Sequence, residues 1–177
     1  MEQIKWPFLK QTWGIEFESS KGAYLYTKDG RKILDAAGGA IVNNIGYGRE
    51  EVAEAISKAV INNSYILPPF LTPEREALLD ELRNHWLPPH LTRIHLSSGG
   101  SEANESAVKL AIQYQASRGK PEKNIILTRS LSYHGTTLNM SGISGHQARK
   151  RGLESYVPSP TTIETPYPVS YTHLRAH

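Results

Sequence analysis

Five consecutive small residues, Ser97-Ser98-Gly99-Gly100-Ser101, separate a short apolar run from a helical pattern. A turn alone rarely needs two adjacent glycines followed by a serine, and the run indicates that backbone lies close to a bound group. A helix that begins near Gly100 would present unpaired N–H groups and partial positive charge, which suit a phosphate, and the Ser101 hydroxyl could donate one more hydrogen bond. We therefore predict an anion site here. The alternative is a flexible turn in which Ser101 is an ordinary cap.

A second group of ligand-binding candidates, Tyr133-His134-Gly135, follows the apolar run at residues 124–128. If that run is a strand, these residues lie just past its carboxyl end, at the same edge of the sheet as the glycine turn. An aromatic ring at that position could stack on a flat cofactor whose phosphate the first turn holds. The alternatives are that Tyr133 is a half-buried packing residue and that His134 is a loop histidine with satisfied hydrogen bonds.

The elements needed to position these residues follow from local patterns. Residues 23–27 and 32–36 flank Asp29-Gly30, which supplies the positive φ angles of a tight β-hairpin. A glycine-rich irregular segment follows at 36–48. Apolar residues then recur with helical spacing from Arg49.

A second helix is predicted to start at Thr72-Pro73, with the threonine as cap, and to close before Pro88-Pro89. A strand is then expected over 93–97, a helix after Gly100, and a second strand over 124–128. This order predicts a parallel βαβ unit with ligands at the carboxyl ends of its strands. The buried face of its helix is expected to contain five residues: Ala103, Ala107, Leu110, Ala111 and Tyr114.

Composition excludes several classes of protein. The 177 residues carry 20 Lys and Arg against 17 Asp and Glu, a net charge of +3, so no nucleic-acid partner is expected. With no cysteine, the chain has no disulfides, thiolate metal sites or thiol nucleophiles, and a reducing compartment is favoured. No apolar run is long enough to span a bilayer and no leader is recognised, so a cytoplasmic protein without a membrane partner is expected.

Three blocks together resemble the class III aminotransferases, pyridoxal-phosphate enzymes of fold type I. The blocks are GAYLYTKDGRKILDAAGGAIVNNIGYG (22–48), SSGGSEANESAVKLA (97–111) and SYHGTTLNMSGISG (132–145), in family order and spacing. The resemblance runs from about Trp13 to about Pro168. It implies an α/β fold, namely the N-terminal part of a fold type I transferase, with a hairpin and helix segment followed by an incomplete parallel sheet and flanking helices. The implied domains are 1–70, the N-terminal segment of the small domain and interface arm; 71–168, the first part of the cofactor-binding large domain; and 169–177, a non-native tail.

The resemblance also implies site residues and a cofactor, pyridoxal 5'-phosphate. The cofactor-binding residues would be Gly99, Gly100, Ser101, Tyr133 and His134. The backbone of the two glycines and the serine hydroxyl would hold the phosphate, and the tyrosine would stack on the pyridine ring. Three more residues are placed near the cofactor, at the interface of a homodimer: Asn43, Asn44 and Tyr47.

The implied reaction transfers an amino group from an amine or amino acid to a keto acid or aldehyde. Family members place the Schiff-base lysine and the ring-nitrogen aspartate on strands beyond the last residue of this chain. No catalytic residue is therefore assigned, no metal is expected, and the chain alone should be inactive. Lys150, the lysine that follows the Tyr133 turn, is predicted to lie on a solvated helical face.

Residues 168–177 depart from the family pattern and resemble a translated sequencing adapter, which suggests a truncated gene fragment. Such a fragment would leave sheet edges unpaired and helices uncovered, and we expect it to be poorly stable and prone to association. Two alternative functions remain open. One is a pyridoxal-phosphate decarboxylase or aminomutase of the same fold, and the other is a non-catalytic phosphate-binding module.

Overall fold

The computed structural model describes residues 14–165. The chain divides into two compact units, with the boundary between Pro88 and Pro89. Each unit is described by itself. The domain boundary expected after residue 70 stays a prediction, and the tail expected at 169–177 lies outside the described residues.

The first unit begins with a three-stranded antiparallel sheet in the order β1 (Phe17–Lys21), β2 (Tyr24–Thr27) and β3 (Lys32–Leu34). The predicted hairpin is confirmed as β2 and β3, with Leu25 opposite Ile33. Its loop has four residues, so Gly30 has positive φ (85°) but Asp29 does not, contrary to expectation. In the longer loop the Asp29 carboxylate instead accepts a hydrogen bond from the Arg31 side chain.

Three helices follow in this unit. A short, kinked α1 (Gly38–Ile41) lies inside the predicted irregular segment. The predicted amphipathic helix is α2 (Glu50–Asn62). The second predicted helix is α3 (Pro73–Glu81), where Thr72 Oγ1 accepts a hydrogen bond from the Arg75 N–H at 3.3 Å. It continues through a π-helical turn at Leu82–Trp86 and closes before the two prolines, as predicted.

The second unit contains α4 (Gly100–Ser117), β4 (Leu127–Arg129), α5 (Leu138–Ile143), α6 (Gln147–Lys150) and β5 (Thr161–Ile163). The predicted start of α4 is confirmed. The strand predicted over 93–97 is wrong, because no described segment forms strand hydrogen bonds with these residues. A parallel pair does form, but between β4 and β5, with Leu127 opposite Thr161.

The hydrophobic core of the described residues is small. Only Met140 and Ile143, both in α5, are buried apolar side chains. The expected burial of the apolar face of α4 is wrong: no α4 residue is buried, and Leu110 is 67% exposed. Hydrogen bonds join the start of α5 to Glu105, a polar residue in the second turn of α4, and this contact leaves the apolar face of α4 uncovered. None of the helices described between residues 14 and 165 has the length and apolar character needed to cross a membrane.

Candidate functional site: the start of α4 and the loop before α5

The first turn of α4 leaves backbone donors unpaired. The carbonyl of Gly99 accepts the first hydrogen bond of the helix, from the Ala103 N–H at 3.0 Å. The N–H groups of Gly100, Ser101 and Glu102 therefore have no helical acceptor, and no other group in the described part of the chain accepts from them. The dipole of this 18-residue helix adds partial positive charge at the same place. This end of α4 can bind an anion.

The two glycines of the turn are not required by the fold of the chain itself. Gly99 has extended backbone (φ −171°), and Gly100 is not among the residues with positive φ. A Cβ built on either glycine would meet no other atom within 4 Å. Glycine at these positions instead leaves open space beside the unpaired N–H groups, into which the oxygens of a ligand can approach.

An acidic residue lies beside this site without filling it. The Glu102 carboxylate accepts a hydrogen bond from the Ser98 N–H at 2.9 Å, one residue before the helix cap. Negative charge in the first turn is favourable to the helix dipole. Because its partner is Ser98, the carboxylate leaves the N–H groups of Gly100 and Ser101 free.

The loop at residues 133–137 packs on this first turn, so the structure brings together the two turns that the sequence predicts to be neighbours. Thr136 N–H donates to Ser101 Oγ at 3.0 Å, and Asn104 Nδ2 donates to the His134 carbonyl at 2.7 Å. Gly135 has a φ of +143°, and a Cβ there would lie 2.5 Å from Ser101 Oγ, so only glycine fits. Since the Ser101 oxygen already accepts a hydrogen bond, its O–H is free to donate to a ligand.

A carboxylate in the second turn of α4 fastens the end of this loop. Glu105 Oε1 accepts from Thr137 Oγ1 at 2.6 Å, and Oε2 accepts from Asn139 Nδ2 at 2.8 Å. The bonds from Thr137 and Asn139 hold the pKa of Glu105 below its ordinary value of 4.5. Thr137 also caps α5, since its hydroxyl accepts from the Met140 N–H. Glu105 therefore ties α4 to the start of α5.

Tyr133 is 54% exposed, so about half of its surface is covered and the alternative of a half-buried packing residue stays open. The Arg149 guanidinium lies 5.1 Å from the centre of its ring, and the ring of His146 meets it edge to face at 6.5 Å between centroids. The tyrosine is therefore supported by two neighbours while much of its surface is accessible to a flat ligand.

His134 makes hydrogen bonds to protein groups through its backbone and through Nε2 of its ring. Its Nε2 lies 2.9 Å from Thr128 Oγ1, and its N–H donates to Ser144 Oγ at 2.9 Å. This arrangement matches the alternative of a loop histidine with satisfied hydrogen bonds. Its assignment to the cofactor stays a prediction.

Lys150 does not lie on a solvated helical face, so that prediction is wrong. The side chain is buried, and Nζ donates to the Gly142 carbonyl at 2.6 Å, near the end of α5. A cation is stabilised there by the unpaired carbonyls of the helix. The helical face was misjudged because α6 has only four residues and packs its lysine inward.

In the first unit, Tyr47 is held against the sheet. Its N–H and carbonyl bond to Gly22, and its hydroxyl donates to Asp35 Oδ2 at 2.7 Å. Asp35 also accepts from the N–H groups of Ala37 and Gly39. The bond from Tyr47 is the main reason that the pKa of Asp35 is lowered, and the same bond raises the pKa of Tyr47.

The two asparagines of this segment differ in their surroundings. Asn44 is exposed. Asn43 Nδ2 is buried and makes no hydrogen bond of good geometry within residues 14–165, although the Asn43 side chain lies close enough to the Tyr47 hydroxyl to oppose the rise of the tyrosine's pKa. A buried amide donor without an acceptor is costly, so Asn43 is a candidate for contact with a group outside the described chain. The proposed roles of Asn43, Asn44 and Tyr47 stay predictions.

Sequence reasoning missed two residues that organise these sites, Asp35 and Glu105. A signal existed for each. Asp35 directly follows a strand and precedes a turn, where aspartate commonly accepts backbone hydrogen bonds. Glu105 lies four residues after Ser101 and therefore on the same face of α4.

Comparison with known proteins gives the class to which this arrangement belongs. A sequence model of the class-III aminotransferase family matches residues 10–176, so the chain belongs to the class-III aminotransferases. A probable aminotransferase of Mycobacterium tuberculosis is 37% identical over 138 residues, which are 77% of this chain and 29% of that protein. The diaminobutyrate–2-oxoglutarate transaminase of Halomonas elongata is 30% identical over 164 residues, 92% of this chain and 34% of that protein.

The fold comparison agrees with the family. An (S)-enantioselective omega-transaminase from Thermomicrobium roseum superposes with a TM-score of 0.80 at 28% identity, over 86% of this chain and 34% of that one. The expected fold class is thereby confirmed: the chain is α/β and matches part of a transaminase structure. It spans about a third of the length of the curated relatives that it matches.

Proposed function

We propose that the chain forms the phosphate-binding part of a pyridoxal-phosphate-dependent aminotransferase, which moves an amino group from an amine or amino acid to a keto acid or aldehyde. The main support for this proposal is the start of α4, where Gly99 and Gly100 leave open space beside unpaired N–H groups. The class-III family match supports the same cofactor and reaction class.

The residues present fit the phosphate of pyridoxal 5'-phosphate. The N–H groups of Gly100 and Ser101 and the free O–H of Ser101 would donate to it, with the helix dipole adding favourable charge. Tyr133 would pack on the pyridine ring. When bound, the cofactor acts as an electron sink for the negative charge that develops on the amino donor. The protein's part is to hold and orient it.

Tyr47, Asn43 and Asn44 are proposed to lie near the cofactor at the interface of a homodimer. The buried Nδ2 of Asn43, which makes no hydrogen bond of good geometry within the described residues, supports a role in contact with a further group. We also propose a cytoplasmic location, supported by the absence of cysteine from the sequence. The relatives act on different donors by name, so the proposal is limited to an amine or amino acid.

This chain alone is proposed to have no turnover, because it spans only about a third of the length of the aminotransferases that it matches. Lys150, the lysine that follows the Tyr133 loop in the sequence, donates a hydrogen bond to the Gly142 carbonyl. Mixing the purified chain with pyridoxal phosphate, a donor amine and a keto acid tests this. Formation of a new amine would contradict it.

The phosphate site itself is tested by Ser101→Ala. The change removes one charge-assisted hydrogen bond and should cost about 1.5–3 kcal/mol of cofactor affinity, about tenfold or more in Kd. Absorbance titration with pyridoxal phosphate measures it. Ser117→Ala, at the far end of α4, is the matched control and should leave Kd unchanged. Equal Kd values for Ser101→Ala and the unaltered chain would contradict the placement of the phosphate.

A further inference from the structure

We infer that Glu105 is a positioning residue for the phosphate site: it holds the loop that carries Tyr133 against the first turn of α4. The inference rests on the proposed function, since the loop and turn are the parts proposed to bind the cofactor. Nothing about Glu105 requires it to contact the ligand.

The geometry of the carboxylate supports this role. Each oxygen has its own donor, with Thr137 Oγ1 at 2.6 Å and Asn139 Nδ2 at 2.8 Å. The donors lie at the cap and in the first turn of α5, more than 30 residues along the chain from Glu105. The contact is therefore a long-range fastening between two helices, and few apolar contacts are available to replace it, since α4 has no buried residue.

The fastening acts on Ser101 through the backbone. Thr136 precedes Thr137 directly, and its N–H donates to Ser101 Oγ at 3.0 Å. That bond occupies the oxygen of the serine and so limits the directions in which its O–H can point. When Thr137 is released from Glu105, the Thr136 amide is no longer held over Ser101, and Tyr133 loses its fixed position as well.

A charge effect of Glu105 and a positioning effect of Glu105 predict opposite changes in phosphate affinity when the carboxylate is removed. The carboxylate is negative and lies one helical turn from the proposed phosphate, so by charge alone its removal should strengthen phosphate binding. By positioning, its removal should weaken binding, because Ser101 and Tyr133 are no longer pre-organised. The sign of the change in affinity for Glu105→Gln therefore decides between them.

The test uses the whole 177-residue chain with Glu105→Gln, Asn139→Asp and the double variant. Glu105→Gln places two amide groups face to face, and Asn139→Asp places two carboxylates face to face. The double variant restores a donor opposite an acceptor with the roles exchanged, and the glutamine oxygen can still accept from Thr137. Glu122→Gln is the control, an exposed glutamate without a hydrogen bond to any other described residue.

Two readouts are measured: the Kd for pyridoxal phosphate and the amide hydrogen exchange of residues 133–137. Each single variant should weaken affinity about tenfold and speed exchange in the loop, as expected for a lost charge-assisted hydrogen bond. The double variant should recover to within about threefold of the unaltered chain, because the two sites couple directly. The control should match the unaltered chain.

The outcomes separate this inference from the proposed function. Tighter binding by Glu105→Gln, or unchanged exchange in residues 133–137, overturns the inference. Faster exchange spread along all of α4 also overturns it, since that reports general loss of folding. If the unaltered chain binds no pyridoxal phosphate, the proposed function fails, while the exchange of the loop in the three variants still decides the role of Glu105.

Discussion

Two glycine-rich regions of the molecule use glycine for different reasons. In the segment at 36–48, Gly46 has a φ of +83°, and a Cβ there would lie 3.2 Å from the Gly22 carbonyl oxygen. Gly46 is therefore needed by the chain's own packing. At the start of α4, Gly100 has neither a positive φ nor any neighbour that a Cβ would meet. The fold gives no reason for glycine there.

The difference shows how structure can point to a ligand. Packing within the chain accounts for a glycine that has no room for a Cβ. A glycine in open space beside unpaired N–H groups instead indicates close approach by a group outside the chain. Each region is also held by a neighbouring carboxylate, Asp35 beside the segment at 36–48 and Glu105 in the second turn of α4. Substitutions in the two regions should therefore differ in whether stability or ligand affinity changes.

The largest effect is expected from Gly46→Ala. An alanine must adopt a left-handed conformation and also move away from the Gly22 carbonyl, so the free energy of unfolding should fall by about 2 kcal/mol. Urea unfolding followed by circular dichroism measures this. If the free energy of unfolding changes by less than about 0.5 kcal/mol, packing does not require glycine at position 46, and Gly46 does not differ from Gly100 in this respect.

Gly100→Ala should behave in the opposite way. The free energy of unfolding should be unchanged or raised by up to about 1 kcal/mol, because alanine favours helix more than glycine does. The methyl group would occupy space proposed for phosphate oxygens, so affinity for pyridoxal phosphate should fall about tenfold. Urea unfolding measures the change in stability, and an absorbance titration measures the change in affinity for pyridoxal phosphate. Lower stability together with unchanged affinity would show that Gly100 is structural after all.

The parts of the fold that depend on local chemistry could be predicted from the sequence. The start of α4 follows from the residues around Gly100, and the hairpin follows from Asp29-Gly30 between two apolar runs. The meeting of the glycine turn with the Tyr133 loop is also predicted, but from a strand over 93–97 that does not form. The contact is made instead by hydrogen bonds such as that from the Thr136 N–H to Ser101 Oγ. The start of α4 and the hairpin each depend on information within about ten residues.

The errors concern what lies far away in sequence. Residues 93–97 have a strand-like pattern, but a strand exists only when a partner supplies hydrogen bonds. The burial of Lys150 depends on the Gly142 carbonyl lying within 2.6 Å, which periodicity does not reveal. Likewise, Glu105 is explained by partners 32 and 34 residues away. An apolar stripe such as that of α4 predicts which face seeks burial, but not whether the described chain covers it.

The smallest effect is expected in the pH dependence of the free energy of unfolding, where the contributions of Glu105 and Asp35 should be lost at different pH values. The pKa of Glu105 lies below its ordinary value of 4.5, and the pKa of Asp35 lies below its ordinary value of 3.8. For a group with a lowered folded pKa, stabilisation is complete above the unfolded pKa and is lost as pH falls through the folded one. The contribution of Glu105 should therefore begin to decrease below about pH 4.5, and that of Asp35 only below about pH 3.8.

The measurement compares the stability of the unaltered chain with Glu105→Gln and Asp35→Asn between pH 3 and pH 7. The difference in the free energy of unfolding between the unaltered chain and each variant should be constant near neutral pH. It should shrink on acidification, first for Glu105→Gln and then for Asp35→Asn. Both differences should be small, since water screens carboxylates that are not fully buried. A difference that grows on acidification would mean that the carboxylate is stabilised in its protonated form, and the fastening of that loop by an ionised group would be wrong.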